Sequence, residues 1–300
     1  MDFGKVETSQ LDSIDFTLPA DAERTTRVLS QSQRLAKPIV HVGCAKWSRK
    51  DWLGKIYPFG MRDKFFLEHY AKQFSSIEFN AIYYNLPSHQ QVRDWKSKVG
   101  KDFLFCPKFT EVITHGKRLK NAQHETDVLL DVLSEFGENL GPMFLMPHPQ
   151  MGPKKFEDLK NYLESLPRNL SVFLELRNYN WFEIENKKLI FDLCEELNIG
   201  PVITDASGRR DGVHMELTKP SAFIRFVGNS LHPTDFKRID DWVTRIKQWL
   251  DEGLKELYFF MHQHDELYSP ELVKYLIDEL NTVCDLNLSP PILYDQKALF

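Results

Sequence analysis

The chain has 300 residues, 42% hydrophobic and 13% aromatic, with a formal net charge of −5. That is enough apolar material for one large α/β domain or two ordinary ones, and the charge is wrong for a general nucleic-acid coat. No apolar run approaches the roughly 18–20 residues that cross a bilayer, and residues 1–36 lack the apolar segment of a secretory signal.

Cys44, Cys106, Cys194 and Cys284 lie far apart with no Cys-x-x-Cys spacing. A reduced, cytoplasmic protein with no membrane partner is therefore expected. Charge is unevenly placed. Lys46, Arg49, Lys50 and Lys55 oppose only Asp51 in one stretch, and Lys108, Lys117, Arg118 and Lys120 oppose only Glu111 in another. Two basic loops on an otherwise acidic body suit an anionic ligand, while any one lysine alone reads more simply as a solvated loop residue.

Residues 1–38 show no sustained periodicity and read as an extension. A first strand follows at 39–43, then a helix over 61–74 with Leu67, Tyr70, Ala71 and Phe74 on one stripe. The second strand, 76–80, alternates Ile77 and Phe79 against Glu78 and Asn80. Ser88 is a suitable cap for a helix burying Val92, Trp95 and Val99. Strand three is 102–108, and a helix carrying Val128, Leu129, Val132, Leu133 and Phe136 stops at Gly137.

Strand four spans 142–146, and Pro153 opens a helix through Phe156, Leu159, Leu163 and Leu166. Strand five is 171–177, followed by a helix on Leu189, Ile190, Leu193 and Leu197. Strand six is 201–205; the helix expected after it is weak, since 207–217 holds two glycines and no apolar stripe. Strand seven, 222–227, leads to a helix on Ile239, Trp242, Val243, Ile246, Trp249 and Leu250. Strand eight is 257–262, and Ser269-Pro270 opens the last helix.

Strands alternating with helices in this way predict a single parallel (β/α)8 TIM-type barrel over 39–284, with a tail over 285–300 packed back on it. The competing doubly wound sheet gains nothing from the first strand, which no Gly-x-Gly-x-x-Gly follows.

A set of motifs in the same order resembles the family known as domain of unknown function 72. It begins with Val42-Gly43, Trp47, Trp52, Gly54 and Tyr57-Pro58, then Phe74, Ile77-Glu78-Phe79-Asn80, Tyr83-Tyr84, Pro87 and Trp95. It continues with Phe103-Leu104-Phe105, Lys108, Thr114-His115, Leu119, Leu140-Gly141-Pro142, Glu175-Leu176-Arg177, Trp181 and Arg225. The resemblance implies a single barrel and no agreed activity. The chain departs from that pattern at Cys44-Ala45-Lys46, Met146, Val227 and His262-Gln263.

Alternation sorts the strand ends independently of any family. Phe173, Glu175 and Arg177 share one face, and the charged face should point into the barrel. The same phase puts Glu78 with Asn80 and brings Lys108, Asp205, Arg225 and His262 to the mouth. Buried charge must pair, bind a ligand or hold a metal.

One reading is a self-satisfied ionic ring of Glu78, Glu175, Lys108, Arg177 and Arg225. A second is an enzyme, a hydrolase or isomerase, on a phosphorylated or nucleic-acid-derived substrate. There Lys108, Arg177 and Arg225 clamp the anion with Asn80, Lys46, Trp47 and Tyr83 around it. Glu78 or Glu175 serves as base and His115 or His262 as acid. Its metal variant places Mg²⁺ or Mn²⁺ among Glu78, Glu175, Asp205 and His262. A third is a non-catalytic protein in which Trp47, Trp52, Tyr57, Tyr83 and Tyr84 stack single-stranded nucleic acid. Cys44 and Cys106 read as reactive thiols or, more simply, as small buried hydrophobes.

Overall fold

The computed structural model describes residues 3–294. Eight parallel strands form one sheet in the order β3-β2-β1-β8-β7-β6-β5-β4. They are β1 Ile39–Cys44, β2 Ser76–Phe79, β3 Leu104–Pro107, β4 Met143–Leu145, β5 Val172–Leu174, β6 Gly200–Asp205, β7 Ser221–Gly228 and β8 Glu256–Gln263. Between β3 and β4 the ladder reduces to two bridges, Phe105 to Leu140 and Lys108 to Phe144, which nearly close the circuit. Gly141 makes that seam possible, since a Cβ there would stand 2.7 Å from Cys106 Sγ and 3.0 Å from the Phe105 carbonyl. The fold is a (β/α)8 TIM-type barrel.

The strands alternate as a barrel requires. Cys106, Phe144, Phe173, Val202, Phe223, Tyr258 and Phe260 fill the lower interior. Two residues further along their strands stand Lys108, Glu175, Thr204, Arg225 and His262, so one layer of aromatic filling is followed by one polar layer. The opposite faces, such as Val42, Ile77, Phe105, Ile203, Ile224 and Phe259, pack under the helices.

The helices are α1 Glu23–Ser30, α2 Phe66–Tyr70, α3 His89–Lys96, α4 Gln123–Leu133, α5 Phe156–Ser165, α6 Ile184–Glu196, α7 Pro233–Glu252 and α8 Ser269–Cys284. Ser88 caps α3 by accepting from the Gln91 amide at 3.2 Å. The helix expected over 61–74 is shorter, because 63–65 form a 3-10 turn before α2.

No α-helix joins β6 to β7; that connection has a 3-10 turn, Arg210–Gly212, and an extended run burying Val213, Met215 and Leu217. Helix α1 supplies the missing cover. Thr25 Oγ1 donates to the Met215 carbonyl at 2.7 Å and accepts from the Leu217 amide at 2.8 Å, and Arg24 pairs with Asp192 and Glu195 on α6. The helix escapes a periodicity search because only Thr25, Val28 and Leu29 of its eight residues are buried.

Ahead of α1 the chain crosses the rim above β5–β7. The Phe3 ring lies 3.5 Å from the Arg177 guanidinium, the Gly4 carbonyl accepts from Gly208 at 2.8 Å, and that of Phe16 accepts from Arg210 at 3.2 Å. At the other end, Ile292 and Tyr294 amides bond to Gln73 and Lys55; residues 295–300 of the expected tail lie outside the described residues. Among the described residues no helix is long and apolar enough to cross a membrane.

Candidate functional site

The polar layer is organised by one guanidinium. Arg225, 2% exposed, donates through Nε and Nη2 to the two oxygens of Glu78 at 2.7 and 2.8 Å. Its Nη1 reaches both oxygens of Glu175 at 2.8 and 2.7 Å. Each carboxylate takes further donors: Asn80 Nδ2 on Glu78 at 2.8 Å, Thr204 Oγ1 on Glu175 at 2.7 Å, and Arg177 Nη2 on Glu175 at 2.5 Å. Burial alone would raise the Glu78 carboxyl, but Arg225 and His262 hold it well below the ordinary value. Burial is likewise outweighed at Glu175 by Arg177 and Arg225, so both stay ionised.

On the other side of Glu78 stands His262, whose Nε2 lies 2.7 Å from Glu78 Oε2. Its Nδ1 is 3.6 Å from Glu266 Oε1, and Glu266 is fixed by Ser269 at 2.7 Å. Burial pulls the imidazole down, yet Glu78 and Glu266 hold it above its ordinary value. With Nε2 protonated toward Glu78, the 3.3 Å approach of Arg225 Nη2 is a contact between two donors rather than a hydrogen bond. The result is an imidazole set between two carboxylates, hydrogen-bonded to Glu78 and within ion-pair distance of Glu266.

Lys108 differs from its neighbours. It is 9% exposed, and its ammonium lies 3.9 Å from the centre of the Tyr83 ring. Among the described residues no carboxylate comes within ion-pair distance of it, because Arg225 and Arg177 occupy both nearby acids. Burial, then the repulsion of Arg225, lowers it to about 8. Arg177 is also lowered by burial, to about 10, and its Nε has no protein partner among the described residues.

Two cavities open beside this layer. One of about 480 Å³ is lined by Lys46, Asn80, Tyr83, Lys108, Arg225, His262 and Glu266, among others. A second of about 740 Å³ shares the wall formed by Tyr83 and Tyr84 and contains His115 and His148. The Tyr83 hydroxyl is 3.0 Å from His115 Nδ1. His115 sits on a π-helical turn, Val112–Gly116, an irregularity that recurs at functional sites. Burial and the neighbouring His148 lower it to about 4, so it is neutral at neutral pH.

The structure thus brings together Glu78, Asn80, Lys108, Glu175, Arg177, Arg225 and His262, and sets His115 across Tyr83 from them. Two expected residues lie elsewhere. Asp205 faces the helices: Arg238 Nη2 and Trp242 Nε1 of α7 each bind it at 2.7 Å, and Arg210 adds a third partner. The inward residue of β6 is Thr204. Trp47 is half-buried against Phe79, Trp95 and Phe105, with ring centres 5.5–6.4 Å away, so it packs the outer layer. Lys46 remains exposed at the rim.

With Arg225 between Glu78 and Glu175 and Asp205 turned away, the four expected metal ligands do not converge. Among the described residues no group of three or more His, Cys, Asp or Glu side chains could hold a metal ion. Cys44 and Cys106 are fully buried and their thiols are raised by burial, which fits small core residues. Lys117 and Lys120 of the basic run pair with Glu125 and Asp158 at 2.8 and 2.9 Å. Thr204 and Glu266 escaped the sequence reading. The available signal for Glu266 was its position four residues after a strand-end histidine.

The chain resembles proteins of known sequence and structure along most of its length. It is 25% identical over 281 residues to the UPF0759 protein YecE of Escherichia coli O157:H7, covering 87% of this chain and all of that one. The same figures hold for the protein of strain K12. Solved structures of DUF72 family proteins from Enterococcus faecalis V583 and Thermotoga maritima MSB8 share the fold, with TM-scores of 0.63 and 0.61 at 18% and 19% identity. These cover 87% and 83% of this chain and all of theirs. The family described as "Protein of unknown function DUF72" matches residues 41–292, a span that includes every residue of the polar mouth, and the chain belongs to that family.

Proposed function

We propose that the mouth binds a small anionic, phosphorylated molecule and performs proton-transfer chemistry on it, as a hydrolase or isomerase does. The observation that carries this reading is Lys108. A buried ammonium with no carboxylate partner among the described residues, lining a cavity, is costly unless something else brings the negative charge. Arg225 is not the clamp, because its donors are taken by Glu78 and Glu175. It holds the acids ionised and in place. Lys108 meets the anion, with Asn80 and Lys46 lining the same cavity, while His262, steadied by Glu78 and Glu266, is the acid–base group.

Thermal shift and calorimetry on dialysed, chelator-treated protein test the reading. A phosphorylated ligand at about 100 times its dissociation constant adds about 2.7 kcal/mol of stability. That shift should vanish in Lys108→Met; a shift of equal size in the variant, or none in the wild type, would count against the anion site. A second reading, a non-catalytic binder of single-stranded nucleic acid, draws support from Tyr84, which is 74% exposed on the rim near Lys46. It predicts steep salt dependence and a graded loss as Lys46, Arg49 and Lys50 are removed.

A further inference from the structure

We propose that the cavity behind Tyr83 is a subsite for a flat aromatic ring, so that the molecule bound at Lys108 is an aryl or heteroaryl phosphate. This rests on the mouth being an anion site and names the rest of the substrate. The two cavities meet at Tyr83 and Tyr84, which line both. Lys108 lies over the Tyr83 ring in the smaller cavity, and the ring's hydroxyl bonds to His115, which lines the larger one. A molecule that presents an anion to Lys108 can extend its remaining bulk along the Tyr83–Tyr84 wall into the larger space.

The lining of that space fits a ring and suits a second anion poorly. Leu86, Val112 and Val128 give it an apolar surface; Val112 and Val128 are 48% and 40% exposed, more than such side chains gain from. Glu125 is neutralised by Lys117, and Glu111, which has no ion-pair partner among the described residues, disfavours negative charge. The cavity's neutral polar groups include Thr110 and three imidazoles, of which His115 and His148 meet edge to face with centres 5.0 Å apart while His124 stands as the third. His115 is fixed through Nδ1 by Tyr83 and Thr114 at 3.0 and 2.9 Å, and His148 accepts the Gln150 amide at its own Nδ1. Among the described residues neither Nε2 has a protein partner. The pair can thus hydrogen-bond heteroatoms at a ring edge while the apolar side chains cover its face. A volume of about 740 Å³ is in the range of small-molecule sites and exceeds what a phosphate alone would use.

The test is the affinity of the intact protein, by calorimetry, for inorganic phosphate, glycerol 3-phosphate and 1-naphthyl phosphate. The aryl phosphate is expected to bind at least tenfold tighter than glycerol 3-phosphate. Val128→Asp, on the exposed side of α4, should bring the affinity ratio of the two close to one, and Val112→Asp provides an independent variant should the first fail to fold. Equal affinities in the wild type, or a ratio untouched by both substitutions, overturns the subsite while leaving the anion site standing. Aryl binding that survives Lys108→Met overturns the bridge between the two cavities. Failure of all three phosphates to bind removes the anion site and the subsite together.

Discussion

Lys108→Met should make this protein more stable while removing its ligand. The substitution keeps the length and apolar stem of the side chain and deletes the buried charge. A lysine brought from 10.5 to about 8 on folding is one whose charged form costs the folded state about 3 kcal/mol near neutral pH. Loss of the ammonium's attraction to the Tyr83 ring offsets about 1 kcal/mol of that gain. The net expectation is about 2 kcal/mol, or roughly 3 °C in Tm for a chain of this size.

The pH dependence follows from the sign of the change. Below about 8 the lysine is charged in both states and the cost is complete. Between there and 10.5 only the unfolded chain binds the proton, so the wild type gains stability as pH rises and the advantage of the variant fades. Urea unfolding of both proteins at pH 7, 9 and 10.5 measures this directly. A variant less stable than wild type at pH 7, or a difference independent of pH, would refute the account of Lys108 as an unpaired cation kept at the expense of stability.

Arg225→Met should cost about 3–5 kcal/mol, since it removes the cation shared by two buried carboxylates and leaves Glu78 with only His262 and Glu175 with only Arg177 as ion-pair partners among the described residues. The triple variant that also carries Glu78→Gln and Glu175→Gln should recover much of that loss in urea unfolding, and failure to recover would place the cost elsewhere. His262 carries a proton more tightly in the folded state than its ordinary 6.5, so its contribution is complete below that value and lost as pH rises through the raised one. The stability difference between wild type and His262→Asn should therefore shrink as pH rises above 6.5, and one that grows would reverse the assignment. Removing residues 1–34 should uncover Met215 and Leu217, lowering Tm and raising binding of a hydrophobic dye; unchanged values would show that α1 is dispensable.

Much of the barrel was legible because turn residues and amphipathic helices punctuate its strands. The polar layer was legible where one face of a strand announces itself, as in Phe173, Glu175 and Arg177. It was not legible in β6, where Val202, Ile203, Thr204 and Asp205 are all buried. In a parallel sheet covered on both sides alternation disappears, and nothing local tells whether Thr204 or Asp205 points inward. The decision is made by Arg238 and Trp242, more than thirty residues away on α7. Lys108 shows the same limit. Its lack of a partner is a consequence of Arg225 occupying two acids at once, which only the closed barrel brings about.

The placement of α1 bears on how the chain is made. Thr25 leaves the ribosome 190 residues before Met215, the carbonyl it will bind. At about 5–20 residues per second that interval is roughly 10–40 s, during which the helix has no seat. A segment that must wait in water cannot afford a broad apolar face, and its sequence, with Glu23, Arg24, Thr25, Thr26 and Arg27 preceding the two buried aliphatics, is suited to the wait. Docking of α1 is then a late event, coupled to completion of β6 and β7, and a segment synthesised well before its seat becomes structured only after it.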